Sequence, residues 1–141
     1  MILLDTNVVS EPLKLCGDVA VLNWIDAQAI ETLYLSTISL AELRFGMAAL
    51  PAGKRRDMLH TSLEQRILPL FAGRILSFDD AASQAYAQLR AKARAQGKTV
   101  ASADGYIAAT ALTHGLMVAT RDTAPFEAAG VSVINPWQAK H

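Results

Sequence analysis

The sequence predicts an α/β protein of three layers, in which a mostly parallel sheet of about five strands lies between two layers of helices. Short apolar runs alternate along the chain with longer segments that have the apolar spacing of helices. These longer segments can serve as crossovers, and parallel neighbouring strands need crossovers of about a dozen residues or more. No repeat, low-complexity stretch or linker rich in proline and glycine interrupts the 141 residues, so we expect residues 1–141 to form one domain.

Five short apolar runs are predicted as strands because polar or turn-forming residues bound them. They lie at residues 1–4, 33–35, 75–78, 116–119 and 131–134. The first run is typical of a strand that is buried on both faces, and Asp5 ends it abruptly. In parallel sheets ligands bind beyond the carboxyl ends of the strands. Polar residues that follow these runs are therefore the first candidates for a functional site.

Five helices are predicted from apolar side chains at spacings of three and four and from capping residues. Asp18 can cap the first helix, and Asp79 or Asp80 can cap the longest one, which Gly97 stops. The other three helices lie at residues 36–50, in a stretch through residues 59–67, and at about residues 101–114, where Gly115 follows.

The composition excludes several classes of protein. Lys and Arg number 13 and Asp and Glu number 13, so the chain lacks the surplus of cations on which a purely electrostatic nucleic-acid binder depends. No apolar run approaches the roughly 20 residues that span a bilayer, and no signal segment opens the chain, so we expect a soluble, cytoplasmic protein. Cys16 is the single cysteine, and it can form neither an internal disulfide nor a multi-cysteine zinc site.

Three acidic residues are expected at one edge of the predicted sheet. Asp5 directly follows the first strand, and Asp122 follows the fourth with only two residues between. Glu42 lies near the start of the helix that emerges from the second strand, so it should reach the same edge. The sheet would thus gather carboxylates that are far apart in the sequence.

A fourth acid, Asp104, is notable for the helix face on which it lies. That face also carries three residues that we expect to point toward the core, Ala108, Ala111 and Leu112. An acid on a core-facing side is not an ordinary solvated charge. A structural alternative is that Asp104, near the helix N-terminus, complements the helix dipole.

Each of the other three acids has a structural explanation as well. Asp5 and Asp122 can be turn residues or helix caps, which is a common role for aspartate after a strand. Glu42 stands three residues after Ser39, the spacing of a capping box, in which Glu42 would accept a hydrogen bond from the backbone N–H of Ser39. The residues alone leave these alternatives open.

Four carboxylates in one pocket would repel one another, and one or more would take up protons unless a cation compensated them. Oxygen ligands without Cys or His favour Mg²⁺ or Mn²⁺ over zinc or copper. A magnesium ion that keeps several of its waters favours hydrolysis of a phosphodiester, because it stabilises charge on the phosphate and lowers the pKa of water. Ligand chemistry thus predicts the reaction but not the substrate.

Four ordered motifs and one later segment carry a family resemblance. They are LLDTNVVSEP at residues 3–12, STISLAELRFG at 36–46, ADGYIAAT at 103–110, VATRD at 118–122 and VSVINPW at 131–137. Together they resemble the motifs of PIN-domain ribonucleases, in particular those of VapC toxins of the FitB type, and the resemblance extends over essentially the whole chain.

The resemblance implies that the family's acidic quartet is present here as Asp5, Glu42, Asp104 and Asp122. It implies that Asp5 and Asp104 bind Mg²⁺ directly, while Glu42 and Asp122 bind the ion's waters or a second ion. Supporting hydrogen bonds would come from Thr6, Asn7 and Thr120. The resemblance further implies an RNA substrate and a homodimeric type II toxin. A small DNA-binding antitoxin would hold the toxin inactive with its tail in the active-site groove and would carry it to operator DNA.

Two other functions are compatible with parts of the sequence. A haloacid-dehalogenase-like phosphohydrolase also has an aspartate after an apolar first strand and uses Mg²⁺, but it requires a second aspartate two residues on, where this chain has Asn7. A PIN-like binding module without catalysis has no need of four converging acids. Glu11 remains a candidate for a supporting role. The basic run of Lys54, Arg55 and Arg56 is either a solvated helix start or an RNA contact.

Overall fold

Five parallel strands form the central sheet of the computed structural model, which describes residues 1–138. The strands are β1 (Ile2–Leu4), β2 (Leu33–Ser36), β3 (Ile75–Leu76), β4 (Met117–Ala119) and β5 (Val133–Ile134). Their order across the sheet is β3-β2-β1-β4-β5. This arrangement confirms the predicted fold class.

Seven helices cover the two faces of the sheet in the described part of the chain. They are α1 (Thr6–Val9), α2 (Val19–Ala27), α3 (Thr37–Ala48), α4 (Lys54–Thr61), α5 (Asp80–Ala95), α6 (Ser102–His114) and α7 (Thr123–Ala128). Leu4 packs in a buried cluster with side chains of α1, α2 and α3, and Leu3 packs in a second cluster with side chains of α5, α6 and α7. Successive strand residues point to opposite faces, so β1 contributes to both cores.

Capping residues explain where several helices begin and end. The side chains of Asp18 and Asp79 accept hydrogen bonds from backbone N–H groups in the first turns of α2 and α5. Ser36 caps α3 in the same way. Gly115 ends α6 with φ at 65°, a left-handed conformation that glycine adopts without strain. The predicted caps at Asp18, Asp79 and Gly115 are confirmed.

Several predicted boundaries differ from the structure. The third and fifth strands were expected to have four residues each, but β3 and β5 have two. Both lie at an edge of the sheet, where a strand pairs on one side only. The predicted helix through residues 59–67 is also not one α-helix, because α4 ends at Thr61 and the chain continues as a π-helix over Ser62–Ile67. Pro69 then falls in a tighter turn over Leu68–Phe71, where its missing N–H is tolerated.

The direction of the connections reverses between β1 and β4, which are neighbours in the sheet. On one side of this point lie β2 and β3, and on the other lies β5. Such a reversal opens a crevice beyond the carboxyl ends of the two central strands. The residues that follow Leu4 and Ala119, which are paired in register, therefore enter one crevice. Within residues 1–138, no helix is both long enough and apolar enough to cross a membrane.

Candidate active site

Asp5 lies at the centre of the crevice, directly after β1. Its side chain is only 5% exposed, and both carboxylate oxygens accept hydrogen bonds. The backbone N–H of Thr6 donates to Oδ1 at 2.8 Å, and the hydroxyl of Thr120 donates to Oδ2 at 2.8 Å. Asp5 is also the N-cap residue of α1, so it both caps a helix and lies at the predicted site.

The surroundings of Asp5 disfavour its negative charge. Burial is the largest effect and raises the pKa of Asp5 to about 6, against the lowering effect of the hydrogen bonds from Thr120 and Thr6. The nearby carboxylates of Asp104 and Glu42 raise the pKa further. A cation bound beside Asp5 would relieve both the repulsion and the loss of hydration.

Glu42 is held in the crevice by a side chain from α1. The hydroxyl of Thr6 donates to Glu42 Oε1 at 2.6 Å, and its oxygen lies 3.1 Å from the hydroxyl oxygen of Ser39. The capping-box explanation is wrong, because α3 begins at Thr37 with Ser36 as its cap, and Ser39 lies inside the helix. Glu42 is therefore in the second turn, where its carboxylate meets α1.

Asp104 lies in the first turn of α6 and is half-buried. Burial is the main cause that raises its pKa, and the carboxylates of Asp122 and Glu42 raise it further. The predicted core-facing side of α6 is correct for Ala108 and Ala111, which are fully buried, but wrong for Leu112, which is 41% exposed. Residues four and seven positions on from Asp104 thus face the core, whereas the eighth has turned toward solvent.

Asp122 lies where α7 begins, but its side chain makes no capping hydrogen bond. The cap explanation therefore leaves its carboxylate unaccounted for. Its backbone N–H instead donates to the hydroxyl oxygen of Thr120 at 3.0 Å, and its charge is felt by Asp104. Thr120 thus links the acid that follows β1 to the segment that carries Asp122.

Asn7 joins α1 to the segment after β4. Its side-chain oxygen accepts a hydrogen bond from the backbone N–H of Arg121 at 3.3 Å. The guanidinium of Arg121 lies over the ring of Trp137 at 5.2 Å from its centroid. The sequence suggested only a capping role for Ser39 and no role for Arg121 or Trp137, since only the folded chain shows that they contact the neighbours of the acids.

The pairwise effects on pKa connect all four acids, since Asp5 senses Asp104 and Glu42, and Asp104 senses Asp122 and Glu42. Among residues 1–138, no three Asp, Glu, His or Cys side chains are close enough to hold a metal ion by themselves. Mg²⁺ fits such a donor set, because it is commonly bound by one or two carboxylates and keeps several waters. Zinc and calcium usually need more protein ligands.

Glu11, the fifth candidate, is 3% exposed and forms an ion pair with Lys14 at 3.2 Å. Its second oxygen, Oε2, has no hydrogen-bond partner in the described residues. Glu11 is not among the groups that shift the pKa of Asp5 or Asp104. Glu11 is therefore not part of the group of carboxylates that act on these two aspartates.

The predicted basic run opens α4 rather than entering the crevice. Arg56 donates to the backbone oxygen of Leu50 at 3.5 Å, which indicates a structural role. Lys54 and Arg55 line an apolar groove of about 980 Å³ that Glu42 also lines. The run is thus a wall of a groove beside the acids.

Comparison with known proteins gives a consistent match. Residues 2–131 match the family described as PIN domain. The chain is 64% identical to VapC ribonuclease Y4jK of Sinorhizobium fredii over 98% of this chain and 99% of that one. It is 58% identical to toxin FitB of Neisseria gonorrhoeae over 97% of this chain and 99% of that one.

A solved structure of FitAB bound to an IR36 DNA fragment is similar along its whole length. The TM-score is 0.96 at 55% sequence identity, and the match covers 100% of this chain and 99% of the other. The similarity therefore includes the order of the strands and the crevice between β1 and β4.

Proposed function

The chain belongs to the PIN-domain family, and on that basis we propose that it is a magnesium-dependent endoribonuclease that acts as the toxin of a type II toxin–antitoxin pair. The observation that carries the proposal is the convergence of Asp5, Glu42, Asp104 and Asp122 in the crevice between β1 and β4. The ribonuclease and toxin names of the relatives, at 64% and 58% identity, support the same activity.

In this proposal Asp5 and Asp104 bind Mg²⁺ directly. The ion would stabilise charge on the scissile phosphate and lower the pKa of an attacking water. Thr120 and the backbone of Thr6 orient the carboxylate of Asp5, which fixes the direction in which it offers its remaining lone pairs. The raised pKa values of both aspartates favour a divalent cation over two bare charges.

Glu42 and Asp122 act at the periphery of the ion, through its waters or a second ion. Thr6 occupies one oxygen of Glu42 and leaves the other available. Asp122 is exposed, which suits a group that contacts solvent and substrate. Asn7 links the two segments that carry Asp5 and Asp122 through its hydrogen bond with the backbone of Arg121.

We further propose that the protein is a homodimer and that a small DNA-binding antitoxin inhibits it and brings it to operator DNA. The FitAB complex with DNA, which contains a similar chain, supports this assembly. The apolar groove beside Glu42 is the expected place for the antitoxin's tail, since Leu15 and Met58 there are 96% and 58% exposed. An RNA substrate places the action in the cytoplasm.

The direct test is cleavage of RNA with Mg²⁺ and with EDTA. Asp5→Asn and Asp104→Asn each remove a ligand charge at almost constant volume, so we expect a loss of cleavage on the order of 100-fold or more with the fold retained. Asp26→Asn, an exposed acid on α2, is the matched control and should cleave as the parent does. Full cleavage by Asp5→Asn or Asp104→Asn would contradict the assignment.

The same assay separates the other two functions. A phosphohydrolase would release phosphate from small phosphomonoesters and leave RNA intact. A binding module would bind the antitoxin and leave both substrates intact. For the toxin proposal, expression without the antitoxin should arrest growth, and unimpaired growth with soluble protein present would count against it. Sequencing of RNA ends after expression would then identify the RNA that is cut.

A further inference from the structure

Positive charge is concentrated in one segment of this neutral protein. Between Asp80 and Asp104 the sequence contains no carboxylate side chain, but it contains four cations: Arg90, Lys92, Arg94 and Lys98. The chain as a whole has a formal charge of zero, so this segment departs from the average of the molecule. A local surplus of this kind attracts phosphates even when the whole protein is neutral.

Two of these cations lie on one side of α5, and a third lies just beyond its end. Arg90 and Arg94 are four residues apart on the helix, so they lie on one face about 6 Å apart along the axis. After Gly97, with φ at 71°, the backbone N–H of Lys98 donates to the oxygen of Ala93 at 2.8 Å and places Lys98 beside the last turn. Arg90, Arg94 and Lys98 line a groove of about 820 Å³, which we name the basic groove.

The basic groove adjoins a second groove that reaches Asp104. Lys98 and Thr99 also line a second groove of about 700 Å³ that includes Asp104. Its other wall is α7, where small side chains alternate with one acid, Glu127. A continuous surface path therefore leads from Arg90 past Lys98 to Asp104. Its walls carry several alanines, which leave room for a backbone of ribose and phosphate.

The cations of the basic groove are available to a ligand. In residues 1–138 the ion pairs are Lys14 with Glu11 and Arg44 with Glu64, both outside the groove. Arg90 donates to the hydroxyl of Tyr86 at 2.7 Å, a neutral partner that positions the guanidinium without cancelling its charge.

Complementing the dipole of α5 is one structural explanation for cations in this region. That effect is confined to the last turn of a helix, so it can account for Lys92 and Arg94. It does not account for Arg90, which lies before the last turn, nor for the position of Lys98 between the two grooves.

We infer that the basic groove binds the phosphate backbone of single-stranded RNA and leads the strand to Asp104, an inference that rests on the proposed ribonuclease function. A positively charged groove that follows the backbone is the usual way in which proteins hold single strands without reading sequence. The groove then supplies most of the affinity, and the acidic crevice supplies the chemistry.

The test is the salt dependence of RNA binding. A short fluorescent oligoribonucleotide is titrated with the triple variant Arg90→Gln, Arg94→Gln and Lys98→Gln, in an Asp5→Asn background that prevents cleavage. Log affinity falls as log salt rises, and each phosphate contact to a single strand adds about 0.7 to the steepness of that fall. The loss of three contacts should therefore make the fall less steep by about 2. The affinity of the variant should then fall roughly 20-fold less than that of the Asp5→Asn parent between about 50 and 200 mM salt.

The matched control removes three other exposed cations in the same background, none of which lines either groove: Arg44→Gln, Arg66→Gln and Lys92→Gln. It makes the same change in net charge, and its salt slope should remain near that of the parent. An unchanged slope in the basic-groove variant, or an equal decrease in the control, would overturn the inference. If the basic-groove variant loses more affinity for duplex DNA than for RNA, that result would also overturn the inference. Thermal unfolding of each variant shows whether a lost slope reflects a lost fold.

Binding and cleavage are scored separately, so the two proposals can fail separately. With Asp5 restored, the basic-groove variant should raise KM for RNA and leave kcat almost unchanged, because it weakens uniform binding. A parent that binds RNA through the groove but never cleaves it would contradict the ribonuclease function alone. If the parent and the basic-groove variant cleave RNA with the same KM and kcat, the result would contradict the role of the groove and leave the ribonuclease function standing.

Discussion

Asp5 should make the metal-free protein lose stability as the pH rises. Burial raises its pKa from the ordinary 3.8 to about 6 in the folded chain. A raised pKa in the folded state means that the proton stabilises folding, so the contribution is fully present below about pH 4 and is lost as the pH rises through 6. At about 1.36 kcal/mol for each pH unit between the two values, the loss is on the order of 3 kcal/mol.

The assay is urea unfolding in EDTA at a series of pH values from about 4 to about 8. The Asp5→Asn variant has no titratable group at this position. The free energy of unfolding of the parent should therefore fall by on the order of 3 kcal/mol relative to that variant across the range. The raised pKa of Asp104 acts in the same direction. Mg²⁺ should restore the stability of the parent at the upper end of the range, where the carboxylates are ionised.

Parallel curves for the parent and Asp5→Asn would refute the reasoning, because they would mean that burial does not disfavour the charge of Asp5. Asp26→Asn serves as the control for removing any acid, since Asp26 is exposed on α2. Its curve should follow that of the parent.

Two further substitutions test how the site is supported and how tightly the helices pack. Thr120→Val removes the hydroxyl that donates to Asp5 at 2.8 Å and lowers its pKa, so carboxyl NMR should show the pKa of Asp5 rising further above about 6. Thr110 is equally buried and donates a hydrogen bond within its own helix, so Thr110→Val should leave the pKa of Asp5 unchanged. The same pKa of Asp5 in both variants would contradict the role of Thr120. Gly105→Ala would place a Cβ 2.9 Å from an aromatic ring and should cost roughly 1 to 2 kcal/mol in urea unfolding. Gly46→Ala, with nothing within 4 Å, should instead stabilise by about 0.5 to 1 kcal/mol, and the same sign for both glycines would contradict the packing argument.

Local patterns were sufficient for the larger helices and the centres of the strands. Apolar spacing depends only on neighbouring residues, and a buried helix or strand repeats its pattern over several turns or pleats. The one-turn helix α1 and the six-residue α7 are too short for a 3.6-residue period to show, so the sequence pattern predicts neither of them. Yet α1 supplies Thr6 and Asn7, which support the site.

Local patterns predicted three of the four candidate acids but not Glu42. Asp5 and Asp122 could be named from the sequence because each follows an apolar run, and Asp104 because it shares a helix face with buried alanines. Glu42 could be assigned by the family resemblance but not by its own pattern, which matched a capping box that does not form. Its position is explained by the hydroxyl of Thr6, 36 residues away. The catalytic roles of all four acids remain predictions until the substitutions are measured.

The sequence by itself determined that strands alternate with helices, that the sheet is parallel, and which acids follow strands, because those features come from local periodicity and from the length of the connections. The tertiary structure decided that β1 lies beside β4, which brings Thr120 to Asp5 across 115 residues. It also decided that Lys98 lines both the basic groove and the second groove, which Asp104 lines. Pairing between distant strands depends on the packing of the whole core, and no local pattern contains that information.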